Sequence, residues 1–282
     1  MKADCHMHML LDGRDWKASI SRHRQSPHMP TVRAALALYR QQGYTYLRDG
    51  GDRWGVGAAA RAIAPEYGIT YRTPLSPLCK QGHYGGFIGE TYESMNEYAA
   101  LVQKTRLAGG DFIKIMISGL MDFDHAGVLT EEGLPPDEIR ELIHIAHEEG
   151  FSVMAHCNGP RTMEAAAAAG VDSIEHGAYA DGDTLAAMSE MHTVWVPTVS
   201  TVANLRDTGR FDEQAVTAIL ESAAENIRRF AALGGIIAPG SDAGAWSVPH
   251  GADTEHAHLA AILGENADAI LATGTVNIMA RF

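Results

Sequence analysis

Short apolar runs alternate along this chain with longer stretches in which apolar residues recur every three or four positions. The runs at residues 2–9, 44–48, 69–74, 112–118, 151–156, 172–175, 193–198 and 236–238 are rich in β-forming residues, and each predicts a strand. Helical spacing covers 31–42, 56–67, 91–108, 137–149, 162–169, 183–191 and 211–233, then 254–263 and 265–272. Pro135-Pro136 opens one of these helices, Asp183 offers an N-cap to another, and Gly234-Gly235 ends the longest. Strands that are apolar on both alternations and separated by helices predict a parallel sheet covered on both faces. Eight such units in 282 residues fit an α/β fold of the (β/α)8 TIM type, with a doubly wound open sheet as the rival. No repeat, linker or low-complexity stretch interrupts the pattern, so one domain over residues 1–282 is expected.

Composition narrows the function classes. With 46% hydrophobic residues the chain can bury a substantial core, and no apolar run is long enough to span a membrane. A formal charge of −13 argues against a nucleic-acid surface. The opening residues lack a basic segment followed by an apolar one, so no secretory leader is expected. Three cysteines (Cys5, Cys79, Cys157), odd in number and far apart, argue against a disulfide framework and for a reducing, cytoplasmic compartment.

The fourteen histidines raise the question of which converge. His6 and His8 lie two apart on the first strand, so their imidazoles project to one side, about 6–7 Å apart. That makes half of a divalent-metal site, or a solvated surface pair. Lys114 sits at the centre of the apolar fourth strand, where desolvation disfavours an ammonium unless it is paired or neutralised. His156 closes the fifth strand, His176 closes the sixth, and Asp242 follows the eighth. In a parallel barrel the carboxyl ends of the strands meet on one face, so all six residues are expected at a single mouth.

This constellation resembles the amidohydrolase superfamily in its binuclear branch. Local phrases resemble its prolidase-like, metal-dependent dipeptidase subgroup: Tyr46-Leu47-Arg48-Asp49-Gly50-Gly51, Gln81-Gly82-His83, Ile113-Lys114-Ile115-Met116 and Ser173-Ile174-Glu175-His176-Gly177. The resemblance implies two divalent metal ions held by His6, His8, Lys114, His156, His176 and Asp242, with Lys114 carboxylated to a bridging carbamate. It also implies a metal-bridging hydroxide that attacks an amide carbonyl, with Asp242 as general base and then general acid. Imidazole and carboxylate donors suit zinc first, with manganese, cobalt or iron as options. Members of the family usually carry a small β-sandwich built from segments before the first strand and after the last helix. This sequence opens at strand one and stops at Phe282 without it, so either a barrel-only member or a trimmed chain is expected.

Substrate contacts are sought in the loops. His83 and Tyr84 lie in a glycine-rich loop after the third strand, where His83 would donate to the developing oxyanion or else face solvent. Tyr179, just past His176, would touch substrate or pack its loop. Arg48 or His250 would receive a carboxylate, unless Arg48 pairs with Asp49. His256 and His258 repeat the opening spacing but fall on a helix, where residues two apart diverge. His144 and His147 belong to the outer helical ring. Gly55-Val56-Gly57 mimics a dinucleotide fingerprint but sits on the second barrel unit, where a tight turn is expected. Cys5 and Cys157 are turned away from the site by strand alternation.

The expected function is hydrolysis of a small peptide-like substrate, a dipeptide or an N-acyl amino acid. The alternatives are a lactone, cyclic amide, carbamate or phosphotriester on the same scaffold, or a mononuclear deaminase. A non-catalytic barrel would need gaps in the ligand set, and every position is filled. Barrels of this kind often associate, which leaves a homo-oligomer as an option.

Overall fold

A computed structural model describes residues 2–282. Its strands are β1 (Lys2–Met7), β2 (Tyr44–Asp49), β3 (Thr70–Arg72), β4 (Leu78–Lys80), β5 (Glu90–Tyr92), β6 (Ile113–Met116), β7 (Val153–Cys157), β8 (Ser173–His176), β9 (Val194–Val196) and β10 (Ile236–Ile237). All strand pairings between them are parallel. One sheet runs β1-β2-β3 and the other β10-β9-β8-β7-β6-β4-β5. Two seams join the sheets. The chain beyond β10 lies on β1, where Cys5 N donates to Pro239 O (2.9 Å) and Asp242 N to His6 O (2.7 Å). On the other side Asp111 N donates to Thr73 O (3.0 Å), which sets β3 beside β6.

The third barrel strand is therefore built in two pieces. β3 pairs with β2, the chain breaks around Pro74 and Pro77, and β4 resumes against β6. Counting β3 and β4 as one, the barrel has eight strands, the (β/α)8 architecture that the hydrophobic pattern predicts. β5 is an added edge beside β4.

The helices are α1 (Trp16–His23), α2 (Met29–Gln41), α3 (Val56–Ile63), α4 (Met95–Leu107), α5 (Pro136–Glu148), α6 (Pro160–Ala168), α7 (Gly182–Glu190), α8 (Ser200–Ala203), α9 (Glu213–Ala232), α10 (Glu255–Leu263) and α11 (Ala267–Arg281). α1 and α8 fall outside every range that the spacing predicts, and three others differ from the sequence expectation for local reasons. α4 starts later than residue 91 because 90–92 pair as β5 and Ser94 and Glu97 form a capping box. The cap of α7 is Asp181, whose carboxylate accepts from Thr184 N, and not Asp183. α11 runs on past residue 272 through Gly274, because a glycine there lets the helix touch β10: a Cβ at 274 would lie 1.9 Å from Ile237 O. None of the described helices is long and apolar enough to cross a membrane.

Side chains divide by alternation. Ile113 and Ile115 of β6 and Val153 and Ala155 of β7 pack outward against helix residues such as Leu142, Ile143 and Met163. Their neighbours Phe112 and Met154 turn inward and join Tyr46, Val194, Val196 and Phe282 in an apolar floor. Beneath it, the Arg281 guanidinium donates to Asp172 O (3.1 Å) and His192 O (2.9 Å), fastening α11 under β8 and β9. Above the floor, the inward positions of the same strands become polar.

Candidate metal centre and active-site cavity

Six side chains line one cavity of about 420 Å³ at the carboxyl ends of the strands: His6, His8, Lys114, His156, His176 and Asp242. The closest group is His6, His8 and Asp242, whose ligand-type atoms all lie within 4.8 Å of one another. His6 Nε2 is 3.4 Å from His8 Nε2 and 3.5 Å from Asp242 Oδ1, and His8 Nε2 is 3.4 Å from the same oxygen. His176 bridges to the rest, its ring 5.1 Å from His6 and 4.6 Å from His156.

Backbone geometry places His176 against the alternation rule. Glu175 and His176 are consecutive on β8, yet Glu175 Oε2 is 2.8 Å from His6 Nδ1 and the His176 ring lies tilted against that of His6. Both face inward because His176 adopts φ +68°, in the left-handed region. Asp242 (φ +57°) and Thr198 (φ +49°) share this strained geometry, which costs of order 1–3 kcal/mol each and gathers at functional sites. Gly50 makes room for His8, since a Cβ there would fall 2.2 Å from His8 Cε1.

The imidazoles are held neutral. Burial, followed by the Lys114 charge, pushes His8 down to about 3. Burial does the same to His156, also to about 3, and holds His6 and His176 well below the usual histidine range. Three rings have one nitrogen engaged: His6 Nδ1 by Glu175, His156 Nε2 by Gly119 O (3.2 Å) and His176 Nδ1 by Thr198 Oγ1 (2.7 Å). The other nitrogen of each stays available as a ligand. Burial also pushes the Lys114 ammonium down to about 8 and raises the Asp242 carboxyl well above its ordinary value. Lys114 Nζ and Asp242 Oδ1 are buried with no hydrogen-bond partner. Orphaned buried polar atoms of this kind are rare, and four imidazoles with a carboxylate are a donor set that fits a divalent cation.

The amidohydrolase family model matches residues 58–276. The chain belongs to the amidohydrolase family. The matched segment begins after His6 and His8, which are placed in the cavity by the pairing of β1 with β2 and by the seam to the chain beyond β10. The ochratoxinase of Aspergillus niger is 26% identical to this amidohydrolase over 236 residues, covering 71% of this chain and 47% of that protein. The chain thus spans about half the length of the curated relatives it matches. Among solved structures, a Xaa-Pro dipeptidase with methionine bound in its active site superposes with a TM-score of 0.78 at 22% identity, covering 99% of this chain and 74% of the other. The Aspergillus niger ochratoxinase structure gives 0.76 at 21%, covering 98% and 70%. These structures share the fold.

Not every residue expected at the site of this amidohydrolase lies in the cavity. Tyr84 does, its ring 4.8 Å from that of His156. His83 lies outside the lining, with Nδ1 2.5 Å from Glu131 Oε1. Tyr179 lines a separate cleft of about 20 Å³ behind His176, beside Met121 and Val202. Arg48 does not pair with Asp49 or reach substrate space; it is fully buried on Glu175. His250 bonds to Leu11 O and Tyr39 within the wall, and His256 pairs with Asp268 on the outer surface. Cys157 is buried in the layer between sheet and helices. Sequence reasoning missed Glu175: with His176 read as the inward residue, alternation turns Glu175 outward, whereas Glu175 faces inward beside Ser173 and it is the φ of His176 that brings His176 to the same side. It also missed the aromatic rim of Trp16, Phe87, Phe123 and Trp246, because loop conformation leaves no periodic trace.

Proposed function

We propose that this amidohydrolase cleaves the C–N bond of a small peptide-like amide, a dipeptide or an N-acyl amino acid, using two divalent ions. The observation that carries the reading is the gathering of four neutral imidazoles around the two unpartnered atoms Lys114 Nζ and Asp242 Oδ1. His6, His8 and Asp242 would hold one ion, His156 and His176 the other, and Lys114 both. Lys114 suits that role because an amine lowered to about 8 has a neutral fraction that adds CO2 and loses a proton, giving an anionic carbamate. Two ions bound there, zinc first on this donor set, would polarise the carbonyl and activate the attacking water.

The chain's own residues supply the rest. The Asp242 carboxylate takes a proton from the attacking water and passes it to the leaving amine. Tyr84, rather than His83, is placed to donate to the oxyanion. Its hydroxyl is kept protonated by burial and then by the charge of Asp242, which raise its pKa. Trp16, Phe87, Phe123 and Trp246 give the cavity apolar walls that exclude water and accept the substrate's side groups. The test is a panel of dipeptides and N-acyl amino acids incubated with zinc-loaded protein and read by mass spectrometry. Release of free amino acid is expected. Turnover of lactones or esters with none of amides would replace this reading.

A further inference from the structure

Below the cavity floor of imidazoles lies a buried ion pair that the proposed chemistry does not use. Glu175 and Arg48 are each fully buried, with Arg48 Nη2 2.8 Å from Glu175 Oε1. Arg48 also donates from Nη1 to Ser173 Oγ (2.9 Å) and from Nε to Cys5 O (2.6 Å), and its guanidinium stacks 4.4 Å from the Phe282 ring. Ser173 Oγ in turn donates to Glu175 Oε1 at 2.5 Å. The other carboxylate oxygen, Oε2, faces His6 Nδ1 at 2.8 Å. Stability does not explain such a group, since well-packed apolar residues serve a barrel interior as well or better than a buried ion pair. Orientation does. An ionised carboxylate only accepts, so His6 must carry its proton on Nδ1 and present a bare Nε2 toward His8 and Asp242. His8 has no such partner, because its Nδ1 is buried and unbonded.

We propose that Glu175, locked by Arg48 and Ser173, is the positioning residue that fixes the tautomer of His6 and so makes its Nε2 a metal ligand. The ligand part rests on the reading of the cavity as a metal centre; the tautomer part stands on hydrogen bonding alone. The lock gives Glu175→Gln a definite outcome. Arg48 and Ser173 both donate toward the Oε1 position, so the amide oxygen must lie there and the NH2 group must face His6. His6 Nδ1 then has to accept, the proton moves to Nε2, and the ligand position is blocked without change of shape.

The experiment uses metal-free protein labelled with ¹⁵N-histidine, in which long-range ¹H–¹⁵N correlations distinguish the two tautomers. His6 is assigned by its loss in His6→Gln. Wild type is expected in the Nδ1–H form and Glu175→Gln in the Nε2–H form. Zinc competition against a chromophoric chelator is expected to show one of two affinities lowered about 10–100-fold in the variant, the other unchanged. An Nε2–H wild type, or an Nδ1–H form kept in Glu175→Gln, overturns the positioning role and leaves the proposed chemistry standing. A wild type that binds no zinc, with the expected tautomers, overturns the metal reading instead. The wild-type spectrum needs no variant, so poor folding of Glu175→Gln does not shelter the proposal.

Discussion

Asp242 combines a strained backbone, a raised carboxyl and an unpartnered oxygen facing two imidazoles. Its replacement by asparagine keeps shape and removes the proton acceptor. Asp242→Asn is expected to leave the circular dichroism spectrum unchanged and to lower kcat about 10²–10⁴-fold on whichever amide is turned over. Tyr84 and His83 separate the two candidates for the oxyanion: Tyr84→Phe is expected to lower kcat about 10²–10³-fold, while His83→Ala, outside the cavity, leaves kcat within a few-fold. A fourth residue acts on stability alone. His23 is buried, its Nδ1 accepts from His28 N (3.0 Å), and burial lowers its pKa from 6.5 to about 4. The unfolded chain takes up this proton first, so stability from the neutral ring is full above 6.5 and lost as pH falls toward 4. The gap in urea midpoint between wild type and His23→Gln should therefore narrow from pH 7 to pH 4.5; a constant gap would show that His23 does not titrate in this way.

Among the elements, those that the sequence made legible are the ones whose residues obey a period. β6 reads as a buried strand because Ile113, Ile115 and Ile117 take one face and Phe112, Lys114 and Met116 the other, and a strand so placed fixes where Lys114 points. The same rule put His156 at the mouth, while Asp242 is legible only as the carboxylate that follows the eighth strand. It failed where period gives way to single interactions. The third barrel strand is split by prolines, β4 and β5 are three residues each, and α1 and α8 are loop helices capped and seated by tertiary contacts. Gly274 shows the same limit with opposite sign. Helix propensity alone says that Gly274→Ala stabilises α11 by about 1 kcal/mol. Contact with the backbone of Ile237, 1.9 Å from the added Cβ, says that α11 must lift off β10, at about 1–3 kcal/mol. Chemical denaturation decides, and destabilisation is expected.

For the whole molecule, the six residues of the cavity come from strands spread over residues 6 to 242, so whatever they bind ties the barrel together across both seams. Zinc at one hundred times its Kd is expected to stabilise the fold by about 2.7 kcal/mol per site. Addition of a chelator should lower Tm, and zinc with bicarbonate should restore it more fully than zinc alone if Lys114 is carboxylated. An unchanged Tm under both treatments would argue against ions bridging these strands.

Trp16 and Trp246 stand in the cavity wall, 42% and 36% exposed, and Trp246 lies under the Arg210 guanidinium at 3.4 Å. A molecule settling between those indoles alters their polarity and displaces their solvent, and ultraviolet emission registers both changes. The barrel thus carries its own optical probes, and candidate amides can be ranked by titration in the dark Asp242→Asn background before any product is sought.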